Sequence, residues 1–106
     1  MADKIPEAFD KPVFNSEMLG TVIHKYQVKA EHFNMFLARG SKILDIAMQE
    51  GGIYMWVERP ADTSIDCEGR KFEVFCTGEH MPHKARNFIK TLHVSESYVL
   101  HFYEVF

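Results

Sequence analysis

Six histidines stand in a chain of 106 residues, and neutral imidazole is both the commonest metal ligand and the side chain that titrates nearest neutral pH. Two of them, His24 and His101, lie in alternating segments that carry Tyr26 and Tyr103 two positions further on. Residues i and i+2 share one face of a strand, so each segment presents an imidazole and a phenol side by side. If the two strands neighbour each other, the four side chains form a polar patch able to orient a ligand or partner by hydrogen bonds. The plainer reading makes them exposed or hydrogen-bonded strand residues. His80-x-x-His83 sits in a polar loop around Pro82, with Cys76 and Glu79 close in sequence. Two histidines without a zinc-ribbon spacing do not define a metal set, so neither a metal nor a cofactor is expected.

Other chemistry is weaker still. Cys67 and Cys76 occupy no recognised nucleophile elbow and no helix N-terminus that would stabilise a thiolate. Cys76 alternates with Phe72 and Val74, which assigns it to the core. Asp45 and Glu73 interrupt apolar strands, where a buried carboxylate would shift its pKa, but alternation lets both face solvent. Gly51-Gly52 joins two strands, not a strand and a helix, so it lacks the helix N-terminus that makes a phosphate site. The aromatic residues Phe72, Tyr98 and Phe102 read as core and not as a base-stacking platform.

The elements that must position these groups centre on Lys42 to Glu58, KILDIAMQEGGIYMWVE. Two runs of β-branched, aromatic and long apolar residues flank Gly51-Gly52, whose freedom at positive φ suits a two-residue primed turn. This predicts a central hairpin with Trp56 substantially buried. Upstream, Thr21 to Lys29 alternates as a half-exposed strand. In EHFNMFLARGS, Phe33, Met35 and Leu37 alternate with His32, Asn34 and Phe36, giving a short second strand, with a single helical turn over Glu31 to Leu37 as the alternative. Downstream, Pro60 ends the hairpin, a polar loop runs to about Gly69, Lys71 to Thr77 forms a strand, and Asn87 to Phe106 forms a last hairpin about Glu96-Ser97. About seven short strands with a turn signal roughly every ten residues indicate an all-β domain, an antiparallel sandwich or small barrel.

Residues 1–19 mix charges with Pro6 and Pro12 and show no sustained period. They read as an N-terminal arm before a β domain over 20–106. The arm is either an extended leader or a docking segment that places Phe9, Val13 and Phe14 on this domain or on a neighbouring subunit. At 46% hydrophobic, the chain supports one core and is too short for two. Twelve basic and fifteen acidic residues give a formal charge of −3, which supplies no cationic field for a phosphate backbone. Nucleic acid is not expected as a partner. Two cysteines do not make a secreted disulfide scaffold. With no apolar leader and no run of roughly 18 apolar residues, no membrane association is expected and the protein should be cytoplasmic.

The order of the pieces resembles a small family of uncharacterised proteins common in bacteriophage genomes, which carry a domain of unknown function. The resemblance spans Val22 to Phe106. It rests on Lys25-Tyr26, G-x-K-I-L at Gly40 to Leu44, Trp56, F-x-V-x-x-T-G at Phe72 to Gly78 followed by Pro82, and V-L-H-F-x-E at Val99 to Glu104. It implies a phage or prophage origin, hence the cytoplasm of the infected bacterial host, and a compact β domain. It brings no established activity.

The function expected first is that of a phage accessory protein that binds a host or defence protein without catalysis. The candidate binding residues are His24, Tyr26, His101, Tyr103, Phe9 and Phe14. A binder of small, nucleotide-like molecules, with its pocket between subunits or at a sandwich end, is the second expectation, and a hydrolase or metal enzyme the third. A homo-oligomer is expected because the final apolar strand, if it lies at a sheet edge, leaves backbone groups that need cover.

Overall fold

The computed structural model describes residues 19–106. Among the described residues there are seven strands and no α-helix: β1 (Thr21–Val28), β2 (Phe33–Ala38), β3 (Lys42–Gln49), β4 (Gly52–Pro60), β5 (Cys67–Cys76), β6 (Arg86–His93) and β7 (Val99–Val105). One sheet has the order β1-β4-β3 and the other β2-β5-β7-β6, with every pairing antiparallel. The all-β expectation holds, as a sandwich of two sheets. Its core lies between the sheets, with Ile46, Met55 and Val57 from the small sheet and Leu37, Phe72 and Phe102 from the large one almost fully enclosed. Burial of side chains of this size contributes about 1.5–3 kcal/mol each.

β3 and β4 form the expected hairpin, but its turn lies one residue earlier. Glu50 and Gly51 have φ of 53° and 81°, and Gln49 pairs with Gly52. Gly52 is therefore the first residue of β4, and glycine suits it for a different reason. A Cβ there would stand 3.0 Å from Gln27 Nε2 and 3.2 Å from the Tyr54 ring.

Trp56 corrects a second expectation. β4 is apolar on both faces, so two phases compete for the core, and Met55 and Val57 take it. Trp56 is half-buried on the opposite face beside Tyr54, at a ring separation of 6.5 Å, and Lys25 Nζ lies 4.7 Å from the centre of the Tyr54 ring. Cys76, expected in the core, is exposed at the end of β5, and Tyr98 is also exposed. β5 begins at Cys67, earlier than the polarity of Glu68 and Arg70 suggests.

The last correction concerns β7. It is interior, with β5 on one side and β6 on the other, so its backbone groups are already paired and it offers no edge. The large sheet ends in β2 and β6, the small sheet in β1 and β3. β3 and β6 lie against each other. Both are bulged, between Ile43 and Asp45 and between Phe88 and Lys90, a device that discourages further strand pairing. Lys90 Nζ donates to Asp45 Oδ1 at 2.8 Å across this seam, and that hydrogen bond holds the Asp45 carboxyl below its ordinary pKa.

Candidate functional site

A concavity opens at one end of the sandwich, and a tight turn builds its wall. After β2 the chain reverses at Gly40, whose φ of 88° favours glycine. The Ala38 carbonyl accepts hydrogen bonds from both the backbone N–H and the hydroxyl of Ser41, at 3.0 and 2.6 Å. The turn carries the chain from the large sheet to the small one and leaves the Ser41 carbonyl facing the gap. Arg70 fills that gap. Its Nη1 donates to Ser41 O at 2.8 Å, while Nε and Nη2 donate to the two oxygens of Glu104 at 2.7 and 2.8 Å.

Arg70 and Glu104 are only 16% and 19% exposed, and the Glu104 hydrogen bonds raise the Arg70 pKa above its ordinary value. Bidentate Arg–carboxylate pairs are both strong and geometrically fixed. This one ties β5 and β7 to the β2–β3 turn and forms a rigid polar floor.

Around that floor lies a groove of about 930 Å³, with Asn34, Met35 and Phe36 of β2, Gly69 and Lys71 of β5, Lys42 of β3, Asn87 of β6 and Val105-Phe106 among its lining residues. Phe36 pairs in register with Gly69 and its ring lies over that glycine, where a Cβ would come within 3.5 Å of it. Even so, Phe36 is 79% exposed and Phe106 is 76% exposed. Lys42 and Lys71 have no carboxylate within salt-bridge distance among the described residues. The groove thus combines two solvated aromatic rings and two amino groups, and β2 beside it has a strand partner on one side only among the described residues. An extended chain can pair with such an edge, its backbone giving affinity and its side chains specificity.

The residues expected to form a site are split between the sheets. His24 and Tyr26 share a face of β1, with the Tyr26 hydroxyl 3.4 Å from His24 Nδ1. His101 and Tyr103 share a face of β7, where Thr77 Oγ1 and Thr91 Oγ1 lie 2.8 and 3.0 Å from the two ring nitrogens of His101. β1 pairs only with β4, and β7 only with β5 and β6, so the two strands are not neighbours and the four side chains do not converge. Phe9 and Phe14 lie outside the described residues. His80 and His83 are exposed.

A second polar cluster covers the outer face of the large sheet. Lys84 Nζ and Arg86 Nε donate to Glu73 at 2.8 and 2.7 Å, which lowers the Glu73 pKa. The Arg86 guanidinium lies 5.1 Å from the centre of the Phe75 ring, and the rings of His32 and Tyr103 meet Phe75 edge-on. Phe75 is only 4% exposed although it faces away from the core. The cluster covers Phe75, while Phe88, which meets the Tyr103 ring edge-on at 5.5 Å, stays exposed beside it.

Sequence reasoning missed the groove, although signals for it were present. Phe36 is an apolar residue in the polar phase of β2, and Arg70 and Glu104 are charges in the core phases of β5 and β7. Comparison of the chain with curated proteins and with solved structures gave no match. Residues 20–106 match a protein family described as Domain of unknown function (DUF7352), a span that takes in the whole sandwich and the groove, and the chain belongs to that family.

Proposed function

We propose that this domain acts by binding a protein partner, without a chemical step, and that the groove at the sandwich end is its docking site. The observation that carries the reading is the exposure of Phe36 and Phe106 on the rim of a concavity with a fixed polar floor. Water-exposed rings at a shaped, rigid site are what binding hot spots are made from. The motif order from Lys25-Tyr26 to Glu104 supports a phage or prophage accessory role, with a host or defence protein as partner in the infected cell's cytoplasm. Self-association no longer has β7 as its basis. The long edge left for it is β1, where Val22 and Ile23 are exposed.

A photo-crosslinking amino acid at position 36, with host lysate and mass spectrometry, tests the proposal. A protein that crosslinks there, rebinds when purified and is lost on Phe106→Ser supports it. Equal capture from position 36 and from a control at position 96 sinks it.

A second reading takes a nucleotide-like small molecule as the ligand. The groove volume lies within the usual range for such sites, and Lys42 and Lys71 supply cations for an anionic group. Mass spectrometry of molecules released from the purified protein on denaturation separates the two readings.

A further inference from the structure

We infer that residues 1–18 of this same chain occupy the groove and compete with its partner, an inference that rests on the docking role proposed above. The described chain begins beside the site. The Ala61 N–H donates to Gly20 O, Thr21 pairs with Pro60, and Pro60 approaches Gly40 in the groove wall, where a Cβ on Gly40 would stand 3.9 Å from Pro60 Cγ. Phe14 lies six positions before Gly20, enough extended chain to reach about 20 Å.

The segment has the right composition for the task. It carries Phe9, Val13 and Phe14 for an aromatic-rimmed site, and Asp3, Glu7, Asp10 and Glu17 against only Lys4 and Lys11. Four acidic and two basic side chains leave it net acidic, opposite in sign to Lys42 and Lys71, which have no carboxylate partner among the described residues. Its prolines suit an edge. Pro6 and Pro12 are an even number of residues apart, so in an extended chain both missing N–H groups fall on one side, and the other side keeps its donors for β2. Tethering does the rest. A segment joined by a short linker acts at an effective concentration on the order of millimolar, so modest intrinsic affinity gives high occupancy. A partner then has to displace it.

The test places p-benzoylphenylalanine at position 14 of the full-length chain, with position 4 as control. The expected result is a crosslink from position 14 to Asn34–Phe36 or Glu68–Lys71 in a product of single-chain mass. Crosslinks elsewhere, none, or only a two-chain product overturn the inference. Independently, a synthetic peptide of residues 1–18 is titrated into the full-length wild type and into the Phe9→Ser/Phe14→Ser variant. Relief of a nine-tenths occupied groove makes the variant bind about tenfold more tightly, and equal affinity overturns the inference. If position 36 still captures its partner while position 14 finds nothing in the groove, the occupant is wrong and the docking site stands. Loss of both removes the groove itself.

Discussion

Two of the Arg–Glu pairs on the large sheet are hydrogen-bonded and largely buried, and their surroundings differ. Arg86 and Glu73 lie on the outer face with Phe75, His32 and Tyr103 packed about them, and Lys84 also donates to Glu73. Arg70 and Glu104 lie at the sandwich end, where the nearby rings, Phe36 and Phe106, stand in solvent. The chemistry of the two pairs is alike. What separates the two is the ring nearest the pair: Phe75, beneath the Arg86 guanidinium, is 4% exposed, whereas Phe36 is 79% exposed.

The comparison can be broken most sharply at Phe75. Phe75→Ala should cost about 3–5 kcal/mol in denaturant melts, the range for a large buried aromatic, whereas a cost below about 1 kcal/mol would mean the ring is not covered. Glu104→Ala comes next. It leaves the Arg70 guanidinium short of its two charge-assisted hydrogen bonds while Ser41 O still holds the third, and removal of such bonds costs about 2 kcal/mol.

The Glu73 cluster makes a pH-dependent prediction. Its folded pKa is depressed, first by the hydrogen bond from Lys84 and then by that from Arg86. Its contribution is therefore present above the unfolded carboxylate value of about 4.3 and is lost as pH falls through the lower folded value. Melts from pH 7 into that acid range should show Glu73→Gln with a weaker loss of stability than wild type. Parallel curves would remove the assignment. Phe36→Ser should have a small effect on folding, no more than about 1.4 kcal/mol, the worth of a nine-tenths occupied groove, while abolishing partner capture. A larger loss from Phe36→Ser would make the groove a structural feature after all.

How much of this could be read from residues alone follows from which signals are local. The strands are legible because alternation and turn residues act over a few positions. Face assignment in β4 is not, because Tyr54 and Trp56 are as apolar as Met55 and Val57, and only the opposing sheet decides between them. The groove was hidden for another reason. Asn34, Phe36, Arg70, Glu104 and Phe106 come from three strands and the residue just past β7, and meet only through the order β2-β5-β7. His24 and His101 fail by the same route, since spacing within a strand says nothing about which strands adjoin.

That strand order also bears on how the large sheet comes into being. β5 and β6 follow each other in the chain but never touch as partners, because β7 lies between them and is synthesised after both. During synthesis at roughly 5–20 residues per second, neither strand can complete its native pairing until the later one arrives. Formation of this sheet therefore waits on its newest segment, and non-local pairing of this kind is slow. Pulse-labelled hydrogen exchange during refolding should find the β6 and β7 amides, and those of β5 that pair with β7, protected together, with no earlier step confined to β5 and β6.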